Sequence, residues 1–380
     1  MKKLIKIDII HPREWLRAKQ AGLPELDRMP LAEYRDWLNG LASNYSDFYT
    51  HYLTESGAWR AEEYYLLDPV FEQKVAEHLW GKWRARIYHR AVRVGERILR
   101  RPQRWRQIVL RAYLREFGPD VIFVRSQPLP SAFWQPYRDR AYLVARLSAR
   151  LPRGWHPNDF DLIYTDQPDF KHFFELHGTE TIMNKQGFDP RIIARLTDRP
   201  NDSVVFVGGL GVQNFLARTE FFARIAAETQ FDWYGYWWEE SPDGRTLADF
   251  PALERAHRGP TSGLEMYQIY HDAAICLNDY VDTANGNGFN QRMFEVMGAG
   301  GFLLTRAAPN FARDFPPGIF ATYTDEADCR SKIEYYLSRP GERAAIARRG
   351  QEYVLQHYGY PEIAADFSRD LLDRLPAQTG

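Results

Sequence analysis

Two stretches of the chain combine glycines with polar side chains at offsets suited to binding an anion. In VVFVGGLG, Val204 to Gly211, a β-branched apolar run leads straight into glycines and then into a helical pattern carrying Arg218. Glycine lets backbone come close to a phosphate, and a helix N-terminus offers free N–H groups and a partial positive charge. Gly208, Gly209 and Arg218 are therefore candidate phosphate contacts. The run is neither GxGxxG nor a Walker sequence, and a ligand-free strand-to-helix turn would use the same residues. In NGNGFNQRMFEVMGAGGFLLT, Asn285 to Thr305, a polar glycine-rich loop precedes an amphipathic helix that ends at further glycines. Arg292 and Glu295, three apart, share a face of that helix. A carboxylate there can accept hydrogen bonds from two vicinal hydroxyls, as a ribose presents them. The alternative is a surface Arg–Glu pair flanking a core helix.

Lone titratable groups form a second set. His11 follows the first apolar run, Asp166 follows DLIYT, and His172 sits in the next helical stretch. Each can stand at the carboxyl end of a strand, where a general base for a hydroxyl acceptor would be needed; each also reads as an ordinary surface or satisfied polar residue. Asp279 and Asp282 are the acidic pair nearest the glycine-rich loop that begins at Asn285. The aromatics of WYGYWW, Trp233 to Trp238, suit core and cleft wall better than a sugar platform.

The elements that must position these groups alternate between strand and helix. Apolar runs at Ile5–Ile10, Asp120–Val124, Asp161–Thr165 and Glu180–Met183 read as strands, and Tyr142–Leu147 as strand or helix. Gln73 to Arg101 reads as one long helix, with Trp83, Ile87, Ala91, Val94 and Ile98 as an apolar stripe facing the core. Arg86, Arg90, Arg93 and Arg97 share a face about 100° round from it. With Lys82, Arg84, Arg100, Arg101, Arg104 and Arg106 they form a basic constellation over 82–106. A solvated face, an anionic lipid surface and nucleic acid are its possible meanings, the last disfavoured by a net charge of −1. The polar run Thr197–Ser203 marks a domain boundary. Beyond it strands at Val204–Val207, Phe231–Tyr236, Ala274–Leu277 and Phe302–Thr305 alternate with helices, and a helical tail closes the chain. Two successive α/β units imply two Rossmann-like domains facing a cleft, with ligands at the strand ends.

The 380 residues suit two domains, and 44% hydrophobic with 26% charged residues excludes a mostly disordered chain. Cys276 and Cys329 make no disulfide framework and no zinc spacing. The run MKKLIKIDIIHPREW is broken by Asp8 and reads as a first strand in preference to a signal peptide. A cytoplasmic location, with a peripheral position on the inner membrane face as a variant of it, is the expectation.

RMFEVMGAGGFLLT resembles the "R-x-FE-x-x-x-x-GG-x-LLT" signature of the group 1 glycosyltransferases, especially their CgeB-type (spore-maturation-like) branch. VVFVGGLG with Arg218, the run HDAAICL, and Glu334 to Tyr358 agree in order, as do PDVIFV, DLIYTDQPDF and GFDPRI upstream. The resemblance implies a GT-B fold, a nucleotide-sugar donor, a carbohydrate or glycolipid acceptor, no cofactor and no obligatory metal. It places Glu295 on the donor ribose and Arg292 and Asn290 near the diphosphate or sugar. Asn287 stands where many relatives carry a second glutamate, which leaves the sugar contacts open. The implied domains are 1–197 for the acceptor, 198–358 for the donor, and 359–380 as a helix returning to the first domain. Retention is the expected stereochemistry; an inverting enzyme would take His11 or Asp166 as base. A GT-B sugar-nucleotide epimerase and an inert nucleotide-sugar-binding protein are the alternatives.

Overall fold

The computed structural model describes residues 1–43, 46–99, 104–126, 129–147, 155–212, 215–238, 244–280 and 288–375. The chain divides into two units, Met1–Asn184 with Ala364–Gly380, and Lys185–Ile363.

In the first unit the strands are β1 (Lys2–Asp8), β2 (Trp59–Tyr65), β3 (Val121–Val124), β4 (Tyr142–Arg146), β5 (Leu162–Thr165) and β6 (Glu180–Met183). They form a parallel sheet in the order β2-β1-β3-β4-β5-β6. β3, β4 and β5 are short, apolar and buried, as central parallel strands covered on both faces must be. β2 was not anticipated: Arg60, Glu62 and Glu63 break its apolar pattern. The structure supplies the reason, because Glu63 is buried beside Lys6 of β1. Lys6 Nζ donates to Glu63 Oε2 at 2.7 Å and to the Ser46 carbonyl at 2.8 Å, while Thr50 donates to Glu63 Oε1 at 2.7 Å. Asp8, also fully buried, lies 3.7 Å from Lys6 and 3.5 Å from Arg125.

The expected long helix over 73–101 is two helices, Pro69–Trp80 and Lys82–Leu99. Gly81, at φ +80°, separates them in a conformation that other residues adopt rarely. The expected core stripe of the second helix is also corrected. Trp83, Ile87 and Val94 are exposed, and Ala85 and Glu96 are buried instead. The side chain of Ile98, and Arg100 and Arg101, lie outside the described residues.

The second unit carries β7 (Val204–Val207), β8 (Leu210–Gly211), β9 (Asp232–Tyr234), β10 (Trp237–Trp238), β11 (Ile275–Asn278), β12 (Leu303–Arg306) and β13 (Ala321–Tyr323). Five of these form a parallel sheet, β13-β12-β11-β7-β9, and β8 pairs with β10. The division at 184/185 lies upstream of the boundary expected at 197/198. Phe188 explains the shift: its N–H donates to the Tyr358 carbonyl at 2.9 Å, its carbonyl accepts from Tyr360 N–H at 3.0 Å, and its ring packs on Tyr267. At the other end, Ala364–Gly380 counts with the first unit, where Phe367 packs against Tyr49, Phe123 and Tyr164.

Candidate functional site

The carboxyl ends of β7, β11 and β12 lie on neighbouring strands, so short loops bring their residues together. At the end of β7, Gly208 is packed too closely for a side chain. A Cβ there would lie 2.2 Å from Arg292 Nη2, and one on Gly235 would lie 2.0 Å from the Gly208 carbonyl oxygen. Trp233 Nε1 donates to that same carbonyl at 2.8 Å. Arg218 is buried in the helix Leu216–Glu228 and donates from Nη2 to the Gly209 carbonyl at 2.6 Å. Its guanidinium lies over Phe215, 4.5 Å from the ring centroid. Thr219 ties the turn to the helix, exchanging hydrogen bonds with both the N–H and the carbonyl of Gly211.

Arg292, in the helix Gln291–Gly298, reaches the same turn. Its Nε donates to the Val207 carbonyl at 2.5 Å and Nη1 donates to Asn278 Oδ1 at 2.7 Å; the guanidinium lies 4.4 Å from the Phe206 ring centroid. Asn290 is the N-cap of this helix, accepting from Met293 N–H at 3.3 Å and donating to Asn278 Oδ1 at 3.2 Å. Its side chain therefore sets the start of the helix. Glu295 is 4% exposed, and its charge is among those that push the buried Tyr267 and Tyr270 hydroxyls well above their ordinary pKa after burial itself. The surface Arg–Glu pair of the sequence alternative is absent, since Glu295 is buried and Arg292 half-buried.

Three contributors were not singled out as binding residues in the sequence. Asn278, fully buried at the end of β11, joins Arg292, Asn290 and Thr305. Asp279 follows it, and Arg306 at the end of β12 donates from Nη2 to Asp279 Oδ2 at 2.7 Å. Burial pushes the Asp279 carboxyl up to about 6, against the opposing pull of Arg306, Arg218 and Arg292. Three guanidiniums thus act on one carboxylate, which leaves net positive charge at the strand ends. No sequence spacing signals this, because 14 to 88 residues separate the arginines and the parallel sheet alone gathers them. Such a site suits an anion carrying more than one negative charge.

Asn287 and Asp282 lie outside the described residues. In the first unit, His11 follows β1 and is exposed, Asp166 follows β5 and is buried, and His172 is exposed in the helix Pro168–Leu176. β1 and β5 are three strand spacings apart in the sheet, about 14 Å, so His11 and Asp166 are not brought together. Among the described residues no group of three or more His, Cys, Asp or Glu side chains is placed to hold a metal ion. No helix there is long and apolar enough to cross a membrane.

Residues 218–369 match the family model described as glycosyl transferase-like. No curated protein matches the sequence. Among solved structures, Anabaena HepE in complex with UDP-glucose is 13% identical, with 98% of this chain and 100% of that one covered and a TM-score of 0.58. Sucrose-phosphate synthase from Thermosynechococcus elongatus is 12% identical, covering 98% and 99%, with a TM-score of 0.54. AviGT4, a glycosyltransferase involved in avilamycin A biosynthesis, is 12% identical, covering 99% and 98%, with a TM-score of 0.53. These likenesses extend over both units and establish the GT-B fold, while the family match covers the stretch that carries Arg218, Arg292 and Arg306. The chain thus has the GT-B fold, and its residues 218–369 are similar to the glycosyl transferase-like family.

Proposed function

We propose that the chain transfers a sugar from a nucleotide-sugar donor to a hydroxyl acceptor, with retention of configuration and without a metal. The observation that carries this reading is that Arg218 and Arg292 reach the Gly208-Gly209 turn while Arg306 pairs with Asp279 on the neighbouring strand end, where a donor diphosphate would lie. Guanidiniums bind phosphate oxygens with directional, charge-assisted hydrogen bonds and can supply the charge that a divalent cation would otherwise bring. Glu295 is the proposed ribose contact, and the first unit the proposed acceptor domain. Membership of the CgeB-type branch is supported by the run RMFEVMGAGGFLLT.

In the transfer, the acceptor oxygen bonds to the anomeric carbon as the bond from that carbon to the phosphate oxygen breaks. The acceptor proton passes to an oxygen of the departing diphosphate. The protein's part is to orient the two substrates and to stabilise the growing negative charge through groups already in place. An inverting reaction would instead need one base, His11 or Asp166, and the sheet position of each allows one to act without the other.

The test is incubation with a panel of nucleotide sugars, with and without simple glycan and glycolipid acceptors. Acceptor-dependent release of free nucleoside diphosphate is expected. An isomerised sugar without transfer, or binding without turnover, contradicts the proposal.

A further inference from the structure

The helix Lys82–Leu99 is amphipathic, yet it faces the wrong way for a core helix. Ala85 and Glu96 are buried on it, and His89 and Val92 partly covered, at the spacing of a single stripe. Glu96 is held there by the Trp105 backbone N–H at 2.8 Å and by Arg93 at 2.9 Å. At 100° per residue, the apolar stripe of Trp83, Ile87, Ala91 and Val94 is centred about 175° from this packed stripe. Trp83 is 74% exposed, Val94 54% and Ile87 51%. Among the described residues, four of the ten exposed large hydrophobic side chains fall on these 18 residues, Tyr88 being the fourth. Concentration of this kind marks an interaction surface.

Charge identifies the occupant. Arg86, Arg90, Arg93 and Arg97 lie about 90° from both stripes. They line a cavity of about 1230 Å³ whose acidic members include Asp27 and Glu77. A second copy of the chain docking here by two-fold symmetry would set arginine row against arginine row. An anionic lipid surface answers both features, with acyl chains for the stripe and phosphate headgroups for the arginines.

We propose that this helix lies in the surface of an anionic membrane, with Trp83, Ile87 and Val94 in the acyl boundary and a lipid phosphate in the arginine-lined cavity. Among the described residues none of the second unit lines this cavity, so the proposal stands or falls independently of the nucleotide-sugar reading.

The test is co-sedimentation with phosphatidylcholine vesicles, with and without phosphatidylglycerol, at low and high salt. The native chain should bind the phosphatidylglycerol vesicles and lose most of that binding in high salt. Trp83→Ser/Ile87→Ser/Val94→Ser should weaken binding at least about tenfold, because the stripe supplies the inserted area. Arg86→Gln/Arg90→Gln/Arg93→Gln/Arg97→Gln should weaken it at least about a hundredfold. Lipids brominated on their acyl chains should quench native fluorescence, and Trp83→Phe should remove that quenched fraction; this readout does not depend on the multiple variants folding. The proposal is overturned if the native chain ignores phosphatidylglycerol at low salt, or if the folded serine variant binds as well as the native one. It is equally overturned if the stripe proves to be a self-association surface, seen as a concentration-dependent dimer that the serine variant abolishes.

Discussion

Asp279 accepts from Arg306 and feels the charges of Arg218 and Arg292, and this gives the proposed donor site a pH dependence of definite sign. Its folded pKa of about 6 stands above the ordinary 3.8. The folded state therefore holds this proton more tightly than the unfolded chain. The group's stabilising contribution is complete below about 3.8 and is lost as pH rises through 6. A donor diphosphate competes with the ionised carboxylate for Arg306, so its binding favours the protonated form. Affinity for a nucleotide sugar such as UDP-glucose, whose phosphates do not titrate in this range, should fall by up to about tenfold per pH unit above 6. Calorimetric titrations across that range check this. Asp279→Asn should bind more tightly at neutral pH and with a flatter profile; an unchanged slope would show that Asp279 does not face the ligand. At this scale glycine spacing announced the close backbone approach at Gly208 and Gly209, a turn that Arg218 and Arg292 reach. The sequence was silent at Asn278 and Arg306 and marked Asp279 only as one of an acidic pair; their arrangement comes from the ends of β11 and β12 meeting in space. For Asn290 the sequence suggested a ligand contact, and the structure gives it a capping bond.

Most strands of both sheets were legible because buried parallel strands are short β-branched runs bounded by turn residues, while the two- and three-residue β8, β10 and β13 were too short to carry a pattern. β2 escaped because Arg60, Glu62 and Glu63 interrupt it, and Glu63 is buried there only through its pairing with Lys6 of β1. Lys6 and Glu63 are each at most 1% exposed, and such a pair is costly to break from one side. Lys6→Met should destabilise the first unit by about 3–5 kcal/mol, since it leaves Glu63 buried without its cation. Adding Glu63→Leu should recover most of that loss, because an apolar pair of similar volume needs no charge compensation. Denaturant unfolding of the single and double variants measures both effects. Additive losses would mean that the pair does not act as a unit. The helix Lys82–Leu99 shows the opposite limit of periodicity. Its 3.6-residue pattern showed that the stretch is helical and where the apolar residues align, but it merged two helices into one, and a pattern does not say what that face meets. Gly81 ended the preceding helix without any proline to announce it.

At the scale of the molecule, two parallel α/β units were readable from the alternation of elements, and the GT-B fold agrees with the resemblance carried by RMFEVMGAGGFLLT. The position of the division was less legible. Phe188 commits its segment to the second unit through backbone bonds to residues 358 and 360, far away in sequence. If guanidiniums supply the charge at the diphosphate, turnover should survive EDTA nearly unchanged. Loss on chelation, restored by Mg²⁺ or Mn²⁺, would instead assign that task to a cation.

The most direct test of the central claim is calorimetric titration of a nucleotide-sugar panel into the native chain, with Glu295→Ala and Arg306→Ala in parallel. At least one donor should bind the native chain. Each variant, folded by circular dichroism, should weaken that donor by about 1.5–3 kcal/mol, the range for a charge-assisted hydrogen bond. Binding of no donor, or native affinity in both folded variants, would contradict a nucleotide-sugar site at the strand ends of the second unit.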